Sequence, residues 1–266
     1  MIKVREMDIE FYRHYFNALE AARQPAWRYR EMKPCGVNYN NFLLAGLYDA
    51  HHLAFRDYRR EAEQIVAALE LTPAAAVIDM GCGTGAFAIP AAQYCRTVYA
   101  VDVSRAMLNR ARRKARKAGL RNVEFHHGGF LTYEHRAAAA DAVVTVAALH
   151  HLPDFWKLVG LHRLASMLKP GGRLYLFDVV FSFEVVHYEA RIKRFVRTLG
   201  TDMGPSGELE AQTHCRAEYS TCDWIMTGLL ERAGFEIAAT DRKNEFLATY
   251  LCMKRTETPC PDELNV

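Results

Sequence analysis

The sequence predicts an α/β fold built on a largely parallel sheet, and three observations carry that expectation. Short apolar runs of strand type at 76–80, 97–102, 123–127, 141–149 and 173–178 alternate with stretches of helical periodicity. The run at 141–149 is nearly all apolar, as a strand buried on both faces should be. The first run ends in glycines at alternate positions, 81, 83 and 85, and a helical pattern starts directly afterwards. A strand, a glycine turn and a helix N-terminus together present bare backbone N–H groups to a ligand. With 266 residues the chain can hold one large α/β domain and a smaller cap.

Composition narrows the class. Half the residues are hydrophobic and 24% are charged, an ordinary globular balance. The net charge of +3 is too small to argue a nucleic acid or membrane partner by itself. No apolar run reaches the roughly 18 residues of a membrane helix, and the charged N-terminus lacks a signal-peptide core. The seven cysteines are odd in number and contain no Cys-x-x-Cys pair. That usage fits reduced thiols and a cytoplasmic location, and offers no metal framework.

Which cofactor the glycine loop serves turns on its details. Gly81-x-Gly83-x-x-Ala86 fits the dinucleotide pattern formally, which keeps an NAD-type oxidoreductase in play. Asp79, two residues before the first glycine, and the unbroken alternation point elsewhere. Asp79-x-Gly81-x-Gly83-x-Gly85 resembles the first motif of class I S-adenosylmethionine (SAM)-dependent methyltransferases. The resemblance implies cofactor contacts from Asp79, Gly81, Cys82, Gly83, Thr84 and Gly85. A carboxylate there suits a cofactor whose amino-acid end carries an ammonium.

Residues 1–70 read as a helical N-terminal cap. Ile9, Tyr12, Phe16 and Leu19 share a face, Pro25 interrupts, and Pro34-Cys35-Gly36 is a turn. Tyr58, Ala62, Ile65, Val66 and Leu69 mark a second helix with Asp57 as N-cap. The segment between is rich in aromatic and polar groups. Most of these read as the core of the cap, and Tyr48 and Arg56 are candidate cofactor or substrate contacts.

Past the loop, the second strand ends at Asp102, about 20 residues beyond the glycines, where an acid can accept both ribose hydroxyls. Val103 and Met107 follow as candidate cofactor contacts. Ser104 is an N-cap for a helix with a narrow apolar stripe, and its other positions carry a run of Arg and Lys from Arg105 to Arg121. With no aromatic side chains interleaved, a solvated face is favoured over an RNA-binding surface.

At Gly128-Gly129-Phe130 the sequence departs from the family. Related methyltransferases commonly carry Gly-Asp at this turn, and the resemblance assigns that carboxylate to the adenine amino group. Gly129 cannot supply it, although the Phe130 N–H could still reach the adenine ring. Ala147-Ala148-Leu149-His150-His151-Leu152 resembles the fourth motif of type 11 small-molecule methyltransferases, and Leu-Lys-Pro-Gly-Gly at 168–172 resembles the turn before their fifth strand. Ligands bind at the carboxyl ends of parallel strands, so Ala147 is a candidate cofactor contact and His150 and His151 are candidate bases, with His150 preferred. One histidine is expected to be structural and the other to face the pocket.

Residues 182–218 read as an inserted lid: a helix from 184 to 199, then a loop across 200–207 containing Gly-Pro-Ser-Gly. A helix near Trp224 to Leu230 and β runs at 235–239 and 246–253 follow, then a polar tail at 256–266. The resemblance covers about 71–255. It implies a Rossmann-like seven-stranded, mostly parallel sheet with helices on both faces and an antiparallel last strand. It also implies SAM as cofactor and a small-molecule methyl acceptor, and the absence of metal-ligand spacing predicts no metal. A non-catalytic SAM-binding or RNA-associated protein remains the other alternative.

Overall fold

The sheet starts at β1 (Ala76–Met80), whose five residues are all buried. Its parallel neighbours are β2 (Thr97–Asp102) and β4 (Ala140–Val146). β3 (Val123–His127) closes one edge beside β2, and β5 (Leu168–Phe181) extends the sheet beyond β4. Burial follows position: the central strands β1 and β4 are mostly buried and mostly apolar, whereas β3 is partly exposed. The computed structural model describes residues 25–40 and 56–256. Residues 31–266 form one compact unit, and residues 1–30 form a separate one.

On the far side, β8 (Leu247–Lys254) inserts antiparallel between β5 and β7 (Phe235–Asn244). The path is therefore β3-β2-β1-β4-β5-β8-β7. An eighth strand lies off it: β6 (Thr221–Cys222) pairs with Val180 and Phe181 at the end of β5. The expected count of seven misses it, because two residues carry no periodicity and β5 runs longer than the apolar run at 173–178 suggests. The Lys169–Gly172 segment, read as a turn, is a bulge: Ala140 pairs with Leu168 and Ala142 with Arg173, and the residues between are looped out around Gly171 at φ +70°.

Helices flank the sheet. α1 (Tyr58–Ala68) is capped by Asp57, whose side chain accepts from Arg60 N. Its Ala62, Ile65 and Val66 enter one core with Val77, Val98, Ala142 and Val144. α2 (Ala88–Ala91) follows the glycine loop, and α3 (Arg105–Lys117) starts at Ser104, whose hydroxyl accepts from Met107 N. α3 buries Met107, Leu108, Ala111 and Ala115 and turns most of its basic residues outward.

α4 (Asp154–Met167) leads to β5, and two helices then interrupt the sheet, α5 (Tyr188–Met203) and α6 (Pro205–Ala217). The loop expected over 200–207 is absent. Helix continues to Met203, Gly204 alone breaks it at φ +69°, and Pro205 opens the next helix. Gly207 lets the two helices touch, since a Cβ there would lie 2.3 Å from Leu199 O. Phe195 and Ala211 anchor the hairpin on Phe246 just before β8. α7 (Asp223–Arg232) precedes β7.

Candidate functional site

The cleft lies where the strand order reverses, between β1 and β4, at the carboxyl ends of the strands. Its floor is the glycine loop. Gly81 and Gly83 have φ of +79° and +53°, and both line the cleft. A Cβ on Gly83 would meet no atom within 4 Å, so the side that a side chain would occupy is open. Gly85, also at positive φ, packs against Ile89 and lines neither adjoining cavity.

Asp102 organises this floor. One carboxylate oxygen accepts from Gly83 N at 2.8 Å, and the other from Ser104 N at 2.7 Å. Burial pushes its carboxyl up to about 6 despite these bonds. Val103, Met107, Gly129, Phe130 and Ala147 line the same cleft. Ala147 sits at φ +52°, a left-handed conformation that L residues adopt at a cost, and it turns the chain sharply off β4.

A second cavity lies on the other side of Gly81 and Gly83 and takes in Asp79, Cys82, Thr84 and Arg56. Asp79 is buried, accepts from Ala88 N at 3.2 Å, and is pushed up to about 8 by desolvation and then by Asp102. Cys82 is buried with its thiol raised by desolvation, and Thr84 accepts from Lys114 Nζ. Arg56 clamps Glu61 through Nε and a terminal nitrogen and lies over the Tyr58 ring. Tyr48 lies outside the described residues.

The two histidines occupy different places, and His151, not the preferred His150, borders the cleft. His151 lines the cleft, edge-on to the Tyr39 ring. His150 stands behind it. Its Nδ1 is 2.5 Å from Asp178 Oδ1 on β5, its backbone N–H donates to Asp178 Oδ2, and its Nε2 is 3.4 Å from Glu218 Oε2. Glu218 also pairs with His214, and His214 Nε2 meets Ser220 Oγ at 2.5 Å. Desolvation works against a proton on His150, but Asp178 and Glu218 overcome it and hold its pKa above the usual histidine value. His151 is driven the other way, to about 3, by burial and then by the neighbouring His150. His150, His151 and Glu218 bring ligand atoms within 4.8 Å of one another, so these three could hold a metal ion.

The sequence reading missed Glu31, Glu218, His214 and Asp178. Glu218 and His214 arrive on the end of the inserted hairpin, and no spacing along the chain ties them to the His150 motif. Glu31 belongs to segment 31–40, which crosses the cleft without regular structure and lines much of it. Its carboxylate accepts from Leu131 N at 3.0 and 3.1 Å and from Thr132 Oγ1 at 2.6 Å. Burial raises its pKa.

Comparison with known proteins agrees with the geometry of the cleft. Residues 77–172 match the model of a methyltransferase domain. An uncharacterized methyltransferase of Bacillus mycoides is 29% identical over 174 residues, covering 64% of this chain and 74% of its own. One from Mycobacterium tuberculosis is 39% identical over 98 residues, 37% of this chain and 47% of its own. Residues 77–172 thus form a methyltransferase domain. The fold of this methyltransferase is shared with solved structures. A SAM-dependent methyltransferase from Clostridium acetobutylicum has a TM-score of 0.60 at 15% identity, over 82% of this chain and 99% of its own. The [4+2]-cyclase SpnF has a TM-score of 0.61 at 17% identity, over 82% and 94%.

Proposed function

We propose that this methyltransferase binds SAM along the cleft and transfers its methyl group to a small molecule held against His151. The observation that carries the reading is the convergence of Gly81, Gly83, Asp102 and His151 on one cavity. The open side of Gly83 leaves room for the cofactor backbone, and Asp102 keeps lone pairs for the ribose hydroxyls. Asp79 lies beside the loop in the adjoining cavity, and an ammonium brought against it there would hold its raised carboxyl ionised.

Methyl transfer from a sulfonium is an in-line displacement, and alignment supplies most of the catalysis. His151, held neutral at physiological pH, can accept a hydrogen bond from an acceptor hydroxyl or amine, which turns the lone pair of that oxygen or nitrogen toward the methyl. His150, clamped between two carboxylates, fixes its neighbour and supplies positive charge behind it. We therefore move the preferred catalytic contact from His150 to His151.

The SpnF fold shows that this architecture also serves a reaction of another kind, so the fold alone does not name the chemistry. Titration calorimetry with SAM and NAD, and turnover assays against a panel of small hydroxyl and amine acceptors, test the reading. His151→Ala is expected to lower turnover by roughly two orders of magnitude or more while SAM affinity stays close to wild type. NAD binding without SAM binding overturns the cofactor assignment. Full turnover in His151→Ala removes that side chain from the chemistry.

A further inference from the structure

We propose that Glu31 supplies the acid that reads the adenine amino group, in place of the side chain that Gly129 lacks. The inference rests on SAM occupying the cleft and concerns how its base is chosen.

The geometry at Gly129 motivates it. A Cβ built there would lie 2.5 Å from Glu31 Oε2 and 2.7 Å from Glu31 Cδ. The carboxylate thus fills the volume in which a side chain at position 129 would begin. It enters from segment 31–40, about a hundred residues away in sequence, and the missing Cβ is what admits it. Glu31, Gly129 and Phe130 all line the cleft.

Its bonds fix the carboxylate without exhausting it. Both oxygens share Leu131 N, and Oε1 also accepts from Thr132 Oγ1, whose oxygen in turn accepts from Gly129 N. The Thr132 backbone N–H also reaches the carboxylate; with about four acceptor sites, Oε2, the oxygen nearest Gly129, still has room for one more donor from the cleft. Beside it, the backbone hydrogen bonds of the turn run from Gly128 N to Asp102 O and from Tyr133 N to Gly129 O, and skip Phe130 N. An acceptor and a donor therefore stand side by side, one turn beyond the ribose acid Asp102. Adenine presents the complement, an N6 amino donor next to the N1 acceptor. Hypoxanthine reverses both groups, with an O6 acceptor next to an N1–H donor.

The test compares binding of S-adenosylhomocysteine and S-inosylhomocysteine by calorimetry, with thermal melting as a control for folding. Wild type is expected to prefer the adenosyl compound by about ten-fold or more, the scale of a two-bond base readout. Glu31→Gln keeps an acceptor for Leu131 N but can donate to O6, so the preference is expected to shrink several-fold. Should that variant melt early, Glu31→Ala/Gly129→Asp returns an acid to the turn and is expected to recover the preference. An undiminished preference in folded Glu31→Gln, or no recovery in the folded double variant, overturns the role of Glu31 while leaving SAM binding intact. Wild type that binds neither compound overturns the cofactor reading and this inference with it.

Discussion

At the scale of single residues, Asp102 joins the loop to the helix that follows β2 and stands where the proposed complex needs an acceptor. Its carboxylate holds Gly83 N and Ser104 N, and in the proposed complex it also accepts from the ribose. Asp102→Ala is expected to weaken SAM binding by about 1.5–3 kcal/mol, the scale of hydrogen bonds to a charged group. Calorimetry checks this, and unchanged affinity means the ribose is held elsewhere. Because burial raises the carboxyl to about 6, the better acceptor form is lost as pH falls through that value. Wild-type affinity is therefore expected to fall between pH 7 and pH 5, and the variant to show a flatter profile. Asp79, Asp102 and the paired histidines could be singled out from sequence because each adjoins a strand end that the apolar runs mark. Glu31 could not, since an acid in an irregular segment carries no signal until its long-range partners Leu131 and Thr132 are known.

At the scale of elements, the glycine loop and the inserted hairpin differ in how well the chain announces them. Three glycines after an apolar run specify positive φ locally, and the structure has it at all three, with open space beside Gly83. The hairpin depends on tertiary packing. Gly200 and Gly207 read as loop formers, yet Gly207 serves close helix contact, and only Gly204 takes the chain out of helical geometry. The strand count went astray for a similar reason, because β6 exists only through its partner Val180-Phe181. For the loop, Gly83→Val places a branched side chain at φ +53° and directly in the open cleft. It is expected to abolish detectable SAM binding by calorimetry while leaving the far-UV circular dichroism of the sheet unchanged. Retained binding moves the cofactor off this loop.

At the scale of the whole molecule, the buried histidines link stability to pH. His151 has a folded pKa near 3, far below its unfolded value of about 6.5. The unfolded chain therefore binds the extra proton between those values, and stability is lost as pH falls through that window. His150 has the opposite sign: its raised pKa contributes stability that is present below about 6.5 and is lost as pH rises through the folded value. Replacing His151 by Gln removes only the acid-sensitive part. Relative to wild type, His151→Gln is expected to be more stable at pH 5 than at pH 8 by denaturant unfolding, and an offset independent of pH refutes the assignment.

Segment 31–40 ties the two halves of the cleft together. Glu31 bonds the turn after β3, and Ser104 Oγ donates to Tyr39 O on the cofactor side. Val37 N donates to Glu218 Oε1, and Cys35 Sγ to Ala217 O, at the end of the inserted hairpin. One strap thus spans the cleft from the turn after β3 to the end of the inserted hairpin. In the proposed reaction, spent cofactor and methylated product would both lie beneath this strap, and their release is expected to be coupled. A slow strap would then set one ceiling on turnover for every acceptor, good or poor, and that ceiling would rise as the strap's few side-chain ties are cut.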